Sequence, residues 1–171
     1  MKTNRSLPKN FPSHFPKSKK EESEFGKGKK DILICKKCNA VYYYKSWHHR
    51  LDDYPYLSEK KNLKFVLCPA CQMIKDKKYE GELIIENISQ KARKEIINTV
   101  KNMGEEAFRR DPQDRIISIK EVNGNSKKIR ILTTENQLAV RIGKKIKRTF
   151  KGRISVKYSK KESTARVKVV L

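Results

Sequence analysis

The four cysteines are the residues whose type and spacing most clearly predict chemistry. They form two Cys-x-x-Cys pairs, Cys35-Lys-Lys-Cys38 and Cys68-Pro-Ala-Cys71, with 29 residues between the pairs. Each pair makes a tight turn that directs two thiolates at one point, and two such pairs supply the tetrahedral sulfur cage that Zn²⁺ accepts. The spacing therefore predicts one closed, structural zinc site with Cys35, Cys38, Cys68 and Cys71 as its ligands.

Other uses of paired cysteines fit this sequence less well. A disulfide framework is disfavoured because the N-terminal residues contain no apolar run typical of a signal peptide. A thioredoxin-like redox motif would account for one pair and leave the other without a role, and neither pair opens an obvious helix of a βαβ unit. Iron–sulfur ligation and redox thiols are the alternatives that stay open.

Aromatic residues and two histidines lie between the cysteine pairs. His48 and His49 are expected in the intervening loop and not as metal ligands, because four thiolates already complete a tetrahedron. Strand alternation in AVYYYKSW places Tyr43 on the face opposite Tyr42 and Tyr44. Packing over the zinc site is the favoured role for Trp47 and for one tyrosine face, and stacking on unpaired bases is the alternative.

The charge of the chain indicates a polyanionic partner. Its 42 Lys and Arg residues exceed its 19 Asp and Glu residues by 23. Nucleic acid is the partner that best fits so basic a composition, and a membrane fits less well because no segment approaches about 18 consecutive apolar residues. We therefore expect a cytoplasmic protein that binds RNA or DNA and has no small-molecule substrate. The sequence gives no indication of the oligomeric state.

The chain divides by composition into three segments. Residues 1–30 contain three prolines and few apolar residues, which predicts a flexible basic tail; the tail is either an RNA-seeking arm or a solvated leader. Residues 31–78 contain all four cysteines and form the predicted zinc ribbon. Residues 79–171 have enough hydrophobic periodicity for a domain with its own core.

The first half of the third segment reads as a strand, a helix and a hairpin. A strand is predicted over residues 79–86, and Asn87-x-x-Gln90 resembles a capping box that starts a helix. The Asp111-Pro112 pair should end that helix. Strands over residues 115–122 and 127–134 should form a hairpin through Asn123-Gly124, since both residues tolerate positive φ.

The second half adds another helix and a terminal hairpin. Thr134 to Gln137 reads as a second capping box, and Gly152 should close the helix that follows. Two short strands then end the chain. The order β-α-β-β-α-β with one further strand predicts an α+β fold, a ferredoxin-like split β-α-β domain with an extra C-terminal strand.

Cations are concentrated on the predicted outer faces of this domain. Residues 141–171 contain 12 Lys and Arg and one Glu, a net charge of +11. A surface with one sign of charge repels itself unless an anion binds, so we predict contacts with a phosphate backbone. The strands lack the paired aromatic residues that read bases on RNA-recognition sheets. The predicted RNA-binding residues are Lys128, Arg130, Arg141, Lys144, Lys145, Lys147, Arg148, Lys151, Arg153, Lys157, Arg166 and Lys168.

Three stretches of the sequence resemble a known group of proteins. CKKCNAVYYYKSWHH, CPACQMIKDKKYEGELII and TTENQLAVRIGKKIKRTFKG are similar to a bacterial family of small proteins that join a zinc ribbon to a ferredoxin-like domain. They are more distantly similar to the middle portion of the ribosomal large-subunit export adaptor of archaea and eukaryotes that is named after nonsense-mediated decay. There, too, a Cys-Pro-x-Cys knuckle runs into a strand containing Tyr-Glu, here Tyr79-Glu80-Gly81.

The resemblance implies association with the large ribosomal subunit or its rRNA, with the four cysteines in the metal positions. The chain has no further cysteine pairs of the kind that the export adaptor contains. No role in export is therefore carried over.

Two functional hypotheses follow from these observations. The favoured one is a non-catalytic zinc-ribbon protein that binds RNA, in particular rRNA. A DNA-binding, transcription-associated zinc ribbon is the alternative; it is disfavoured because the second helix offers few Asn or Gln side chains to bases. We expect no enzymatic activity, since the sequence shows no nucleophile beside a base, no glycine-rich phosphate loop and no open metal position.

Overall fold

The structure, a computed structural model, describes residues 32–43, 45–50, 63–159 and 164–171. The predicted tail over residues 1–30 and the side chain of Tyr44 lie outside the described residues. Residues 31–171 form one compact unit. The ribbon and the segment after it therefore belong to one body, and contacts join them.

The cysteine-containing part is a small four-stranded sheet followed by a short helix. Its strands are β1 (Ile32–Cys35), β2 (Val41–Tyr43), β3 (Ser46–His48) and β4 (Leu63–Val66), in the order β3-β2-β1-β4. Strands β1 and β4 run parallel, with Cys35 opposite Val66. Helix α1 (Pro69–Lys75) follows β4 directly. Because β1 and β4 are parallel, the residues that leave their carboxyl ends meet at the same edge of the sheet.

The rest of the described chain contains five strands and two helices, and we refer to this part as the α+β layer. In chain order its elements are β5 (Gly81–Glu86), α2 (Gln90–Arg110), β6 (Ile116–Val122), β7 (Asn125–Thr133), α3 (Asn136–Thr149), β8 (Arg153–Tyr158) and β9 (Ala165–Val170). The strand order is β6-β7-β5-β9-β8. Strand β9 pairs parallel with β5 and antiparallel with β8. The extra C-terminal strand thus lies inside the sheet, beside β5.

One face of the five-stranded sheet carries the core. Alternate residues of the central strands, among them Leu83, Ile131 and Val167, are buried beneath α2 and α3. Ile96 and Val100 of α2, and Ile142 and Ile146 of α3, complete this core, as the helical spacing of apolar residues predicts. The residues between them in each strand point to the opposite face, which no helix in the described part of the chain covers.

Several local predictions are confirmed. Asn123 (φ 52°) and Gly124 (φ 68°) form the two-residue turn between β6 and β7. Helix α2 ends at Asp111, whose extended backbone (φ −140°, ψ 121°) is the conformation that a following proline favours. In addition, Asn39 takes the left-handed conformation (φ 60°) after the first cysteine pair, which asparagine adopts more easily than most residues.

The predicted helix caps were wrong by one or two residues. Ser89, not Asn87, caps α2 by accepting a hydrogen bond from the Ala92 N–H, and Asn87 adopts positive φ at the end of β5. Glu135, not Thr134, caps α3 by accepting from the Leu138 N–H at 3.0 Å. In both cases several neighbouring polar residues are chemically able to cap the helix. The residue at which the preceding strand ends determines which of them is placed to do so.

The end of α3 also differs from the prediction. Phe150 is the C-cap, Lys151 takes the left-handed conformation (φ 55°), and the Gly152 N–H donates to the Lys147 carbonyl at 3.0 Å. This is the Schellman arrangement with lysine where glycine is usual. Gly152 is needed for space, because a Cβ there would lie 2.7 Å from the Val170 carbonyl oxygen.

Candidate metal centre and cationic surface

The two cysteine pairs converge at the edge of the small sheet. Cys35 is the last residue of β1, and Cys68 follows β4 by two residues, so the parallel pairing of these strands places the pairs side by side. The Asn39 N–H donates to the Cys35 carbonyl at 2.8 Å, which closes the first turn. The sulfur atoms of Cys35, Cys38, Cys68 and Cys71 all lie within 4.8 Å of one another.

The second pair sits on a helix start, which the sequence analysis did not predict. Cys68 is the N-cap of α1 and Pro69 its first residue. The Cys68 sulfur accepts from the Cys71 N–H at 3.4 Å, and the Cys35 sulfur accepts from the Cys68 N–H at 3.3 Å. Because β4 and β5 belong to different sheets, α1 is not the crossover of a βαβ unit.

The geometry of the sulfurs suits a single metal ion. A tetrahedron with metal–sulfur distances of about 2.3 Å has sulfur–sulfur edges of about 3.8 Å. The Cys38 and Cys68 sulfurs are 3.7 Å apart. Cys35, Cys68 and Cys71 are completely buried, so the site is closed and protein groups surround it. Four thiolates in this arrangement are the donor set of structural metal sites.

Backbone donors and burial act on the thiols in opposite directions. Burial would raise the pKa of Cys35, but N–H donors from Cys68, Lys37 and Cys38 lower it to about 6. Burial dominates at Cys68 and Cys71 and raises the pKa of both thiols. A metal ion at this site therefore displaces protons, and its affinity falls as pH decreases because protons compete for the same sulfurs.

A loop of the α+β layer completes the surroundings of the sulfurs. Residues 111–115 connect α2 to β6, and we refer to them as the 111–115 loop. Arg115 donates through Nη1 to the Cys71 sulfur at 3.5 Å, and its guanidinium lies 4.8 Å from the centre of the Phe108 ring. Gln113 accepts from the Ala70 N–H at 3.0 Å. The loop thus holds both the first turn of α1 and one of the four sulfurs.

Two donors of this loop are buried without an acceptor. They are Nε2 of Gln113 and Nη2 of Arg115. Burial would lower the pKa of the Arg115 guanidinium, but the thiolates of Cys38, Cys71 and Cys68 raise it, so the side chain stays positively charged. A thiolate cage with a bound divalent cation carries a net negative charge, which the Arg115 guanidinium offsets in part and to which the Gln113 amide can donate. The surroundings therefore fit a metal–thiolate centre.

The two histidines contact groups other than the cysteines, and His48 lies in β3, not in the loop where both were expected. His48 shares a hydrogen bond of 2.8 Å with the Ser46 hydroxyl and stacks on Tyr43, with 3.8 Å between ring centres. His49 donates to the Phe108 carbonyl and meets the Phe108 ring edge-on. Among the described residues, the group of metal-type ligands at this site consists of the four cysteines.

The predicted RNA-binding cations fall into two structural groups. Five of them lie on the uncovered face of the five-stranded sheet, and four of these five flank two carboxylates of β5. Glu82 pairs with Arg130 at 2.5 Å and with Arg166 at 3.9 Å. Glu86 pairs with Lys128 at 2.9 Å and with Lys168 at 2.8 Å, and hydrogen bonds from both lysines hold its pKa below the usual value.

The second group surrounds α3 and the start of β8. Arg141 pairs with Asp114 of the 111–115 loop at 2.8 Å. The others are exposed, and none has a carboxylate within ion-pair distance among the residues that the structure describes. This second set is Lys144, Lys145, Lys147, Arg148, Lys151 and Arg153. Lys157 is also exposed, but it lies opposite Arg166 in the sheet and therefore belongs to the uncovered face. The uniform charge predicted from the sequence is thus a property of this set, while the sheet face is partly neutralised.

Comparisons with known proteins identify no relative: no family model and no curated protein matches this chain. The bacterial family and the export adaptor named in the sequence analysis stay predictions. Within the described residues, no helix is both long enough and apolar enough to cross a membrane.

The first prediction concerns the thiolates themselves. In Cys68→Ser, the serine keeps an oxygen that can cap α1 but removes one sulfur ligand. We expect loss of the bound metal, measured by elemental analysis, and loss of amide dispersion for residues 32–50 and 63–75 in an NMR spectrum, because a small ribbon depends on metal binding for its folding. Signals from β5 to β9 should persist. Native ribbon signals in metal-free protein would contradict this expectation.

The second prediction concerns Arg115. Arg115→Met keeps an apolar side chain over Phe108 and removes the guanidinium. Metal affinity, measured by competition with a chelator, should fall about 10- to 100-fold, which is the usual cost of losing a partner of a metal ligand. Lys101→Met is the matched control, since Lys101 is exposed on α2. Equal affinity in the two variants would show that Arg115 does not support the centre.

Proposed function

We propose that this protein is a non-catalytic, zinc-stabilised RNA-binding protein that contacts the phosphate backbone through α3 and the start of β8. The observation that carries the proposal is the set of exposed cations without carboxylate partners. Cations on the sheet face lie beside Glu82 and Glu86, whereas those on α3 other than Arg141 have no such partner among the described residues. An unneutralised surface of this kind is favourable when an anion binds it.

The helix dipole explains only part of this arrangement. Cations in the last turn of a helix are stabilised by its negative end, which accounts for Lys147 and Arg148. Lys144 and Lys145 lie earlier, and Lys151 and Arg153 lie beyond the helix. The opposite side of α3 is buried, with Leu138, Ile142 and Ile146 in the core. These cations could therefore bind a ligand without any change in the packing of the core.

Zinc is the metal that we propose for the four-cysteine site, as one ion per chain. A closed tetrahedral thiolate set is typical of structural Zn²⁺. When bound, the metal would supply folding energy and would leave no open position for a substrate. We accordingly propose that the protein has no enzymatic activity.

For the α+β layer we propose the ferredoxin-like class with an added C-terminal strand. In support, β5 and β6 run parallel with β7 between them, which is the arrangement of a split β-α-β unit. The second half departs from it, because both β5 and β9 separate β7 from β8.

Structured rRNA of the large ribosomal subunit is the proposed target. This part of the proposal rests on the resemblance of the cysteine pairs and the adjoining strand to the ribosome-associated families, and the cytoplasm is the corresponding location. The alternative is duplex DNA, with α3 in the major groove. The outward side chains of α3 are mainly Lys and Arg, which contact phosphates and carry little base discrimination.

A salt titration tests the proposal. Replacing Lys144, Lys145 and Arg148 by Gln should leave stability within about 0.5 kcal/mol of wild type, since all three are exposed. The slope of log affinity against log salt for a large-subunit rRNA fragment should decrease by about two to three units, about 0.7–0.9 for each phosphate that the variant no longer neutralises. Replacing Lys91, Lys94 and Lys101 of α2 by Gln removes the same charge and is the control.

The same titration on duplex DNA of equal length separates the two functions. Wild-type protein should bind the rRNA fragment more tightly. Equal slopes for wild type and the α3 variant would show that these cations face solvent in the complex. Tighter binding to DNA would favour the transcription-associated function.

A further inference from the structure

A concave site lies between the cysteine-containing sheet and α2, and it does not include the cations of α3. It is a cleft of about 610 Å³ between β3, with the two residues that follow it, and the C-terminal end of α2. We call it the ring cleft. Its lining combines four aromatic or imidazole rings with three arginines. A volume of this size is within the usual range for small-ligand pockets.

The rings are positioned by contacts on both sides of the cleft. Trp47 packs against the cysteine cluster and lies 5.4 Å from Tyr42, measured between ring centres. On the other wall, Phe108 is 36% exposed, and His49 meets its ring edge-on at 4.8 Å. The hydrogen bond from His49 to the Phe108 carbonyl joins the two walls. Folding of the cleft therefore depends on the metal centre beneath Trp47.

Among the described residues that line the cleft, every charged side chain is positive. Arg50 comes from the segment after β3, and Arg109 and Arg110 come from the last turn of α2. All three are exposed, no acidic residue lines the cleft, and no carboxylate pairs with them among the described residues. The dipole of α2 favours Arg109 and Arg110, but it does not account for Arg50 on the opposite wall.

The chemistry of this combination selects a ligand that is both planar and anionic. Aromatic rings bind any base through its π-face, and arginines bind phosphates through paired N–H donors. A base inside a duplex has both faces covered by its neighbours, whereas an unpaired base exposes them.

We propose that the ring cleft binds one unpaired nucleotide of an RNA strand, with the base against Trp47 and the phosphate between Arg50, Arg109 and Arg110. The proposal rests on the proposed RNA-binding function and adds a single-strand contact to the phosphate contacts of α3. Packing and stacking are compatible roles for Trp47, since the side chain reaches both the cysteine cluster and the cleft.

Trp47 reports directly on this site because it is the only tryptophan of the chain. Zinc-loaded, full-length protein is titrated with a short oligouridine and with an RNA duplex of the same length. The oligouridine should quench the Trp47 fluorescence to saturation, since a stacked base contacts the indole. The duplex should bind through α3 and quench much less.

Two variants test the residues, with binding followed by anisotropy of labelled oligouridine. The double variant Arg109→Gln and Arg110→Gln should reduce the salt slope by up to about 0.7, the value for one phosphate neutralised on a single strand. Its control is Lys94→Gln with Lys101→Gln, two exposed residues of α2 outside the cleft. Trp47→Ala should weaken binding by about 5- to 150-fold. Metal content is measured in each variant to confirm that the ribbon is folded.

The outcomes distinguish the ring-cleft proposal from the proposal that the cations of α3 bind RNA. If duplex and oligouridine quench Trp47 equally, or if the arginine variant binds oligouridine like its control, the ring cleft does not hold an unpaired nucleotide. The salt dependence of α3 on structured RNA is unaffected by that result. If instead wild-type protein binds neither RNA, both proposals fail.

Discussion

The convergence of four cysteine sulfurs, three of them in fully buried residues, is the interaction on which the cysteine-containing part, the 111–115 loop and the ring cleft depend. Among the described residues of the cysteine-containing part, few besides the cysteines are buried: its two small clusters contain Ile32, Val41, Tyr43, Ala40 and Ala70. A segment of this size does not bury enough apolar surface to offset its conformational entropy. A metal bound by the sulfurs would supply the missing free energy, and the parallel pairing of β1 with β4 brings the sulfurs together.

The 111–115 loop connects the cysteine site to the rest of the molecule through hydrogen bonds and an ion pair. Arg115 and Gln113 contact the cysteine pair on α1, while Asp114 pairs with Arg141 in α3. Thr134, just before α3, exchanges hydrogen bonds with Arg115 through both its backbone and its hydroxyl. One loop of five residues therefore connects the sulfurs to the cationic helix.

The same dependence extends to the ring cleft. One wall is β3 of the small sheet and the other is the end of α2, immediately before the 111–115 loop. In the account proposed here, the metal has no chemical step to perform. A metal bound there would hold two surfaces, the cations of α3 and the ring cleft, in one arrangement, which suits the proposed recognition of a folded RNA with both paired and unpaired segments.

Local patterns in the sequence predicted much of this architecture. Cysteine spacing predicted the convergent sulfurs, Asn123-Gly124 the turn, Asp111-Pro112 the end of α2, and the helical wheel the buried and charged sides of α3. Each of these features is decided within a few residues of chain. Caps were less predictable, because several adjacent polar residues compete for the same backbone donors.

Contacts between residues that are distant in sequence could not be predicted in this way. Arg115 lies 44 residues after Cys71, and no local pattern links the two. The place of β9 beside β5 likewise depends on how the whole sheet is packed. Glu82 and Glu86 did give a signal, since their even spacing in a strand puts both on one face. This spacing indicates from the sequence alone that one face of the sheet carries carboxylates as well as cations.

Hydrogen exchange with and without metal tests the central claim, that the thiolate centre holds the 111–115 loop and the two surfaces in place. Amide protection is compared between zinc-loaded protein and protein stripped by a chelator, residue by residue. The account predicts that stripping removes protection from residues 63–75 and also from the 111–115 loop and the last turn of α2, while β5, β7 and β9 stay protected. Loss confined to residues 32–75, with the loop unchanged, would contradict it.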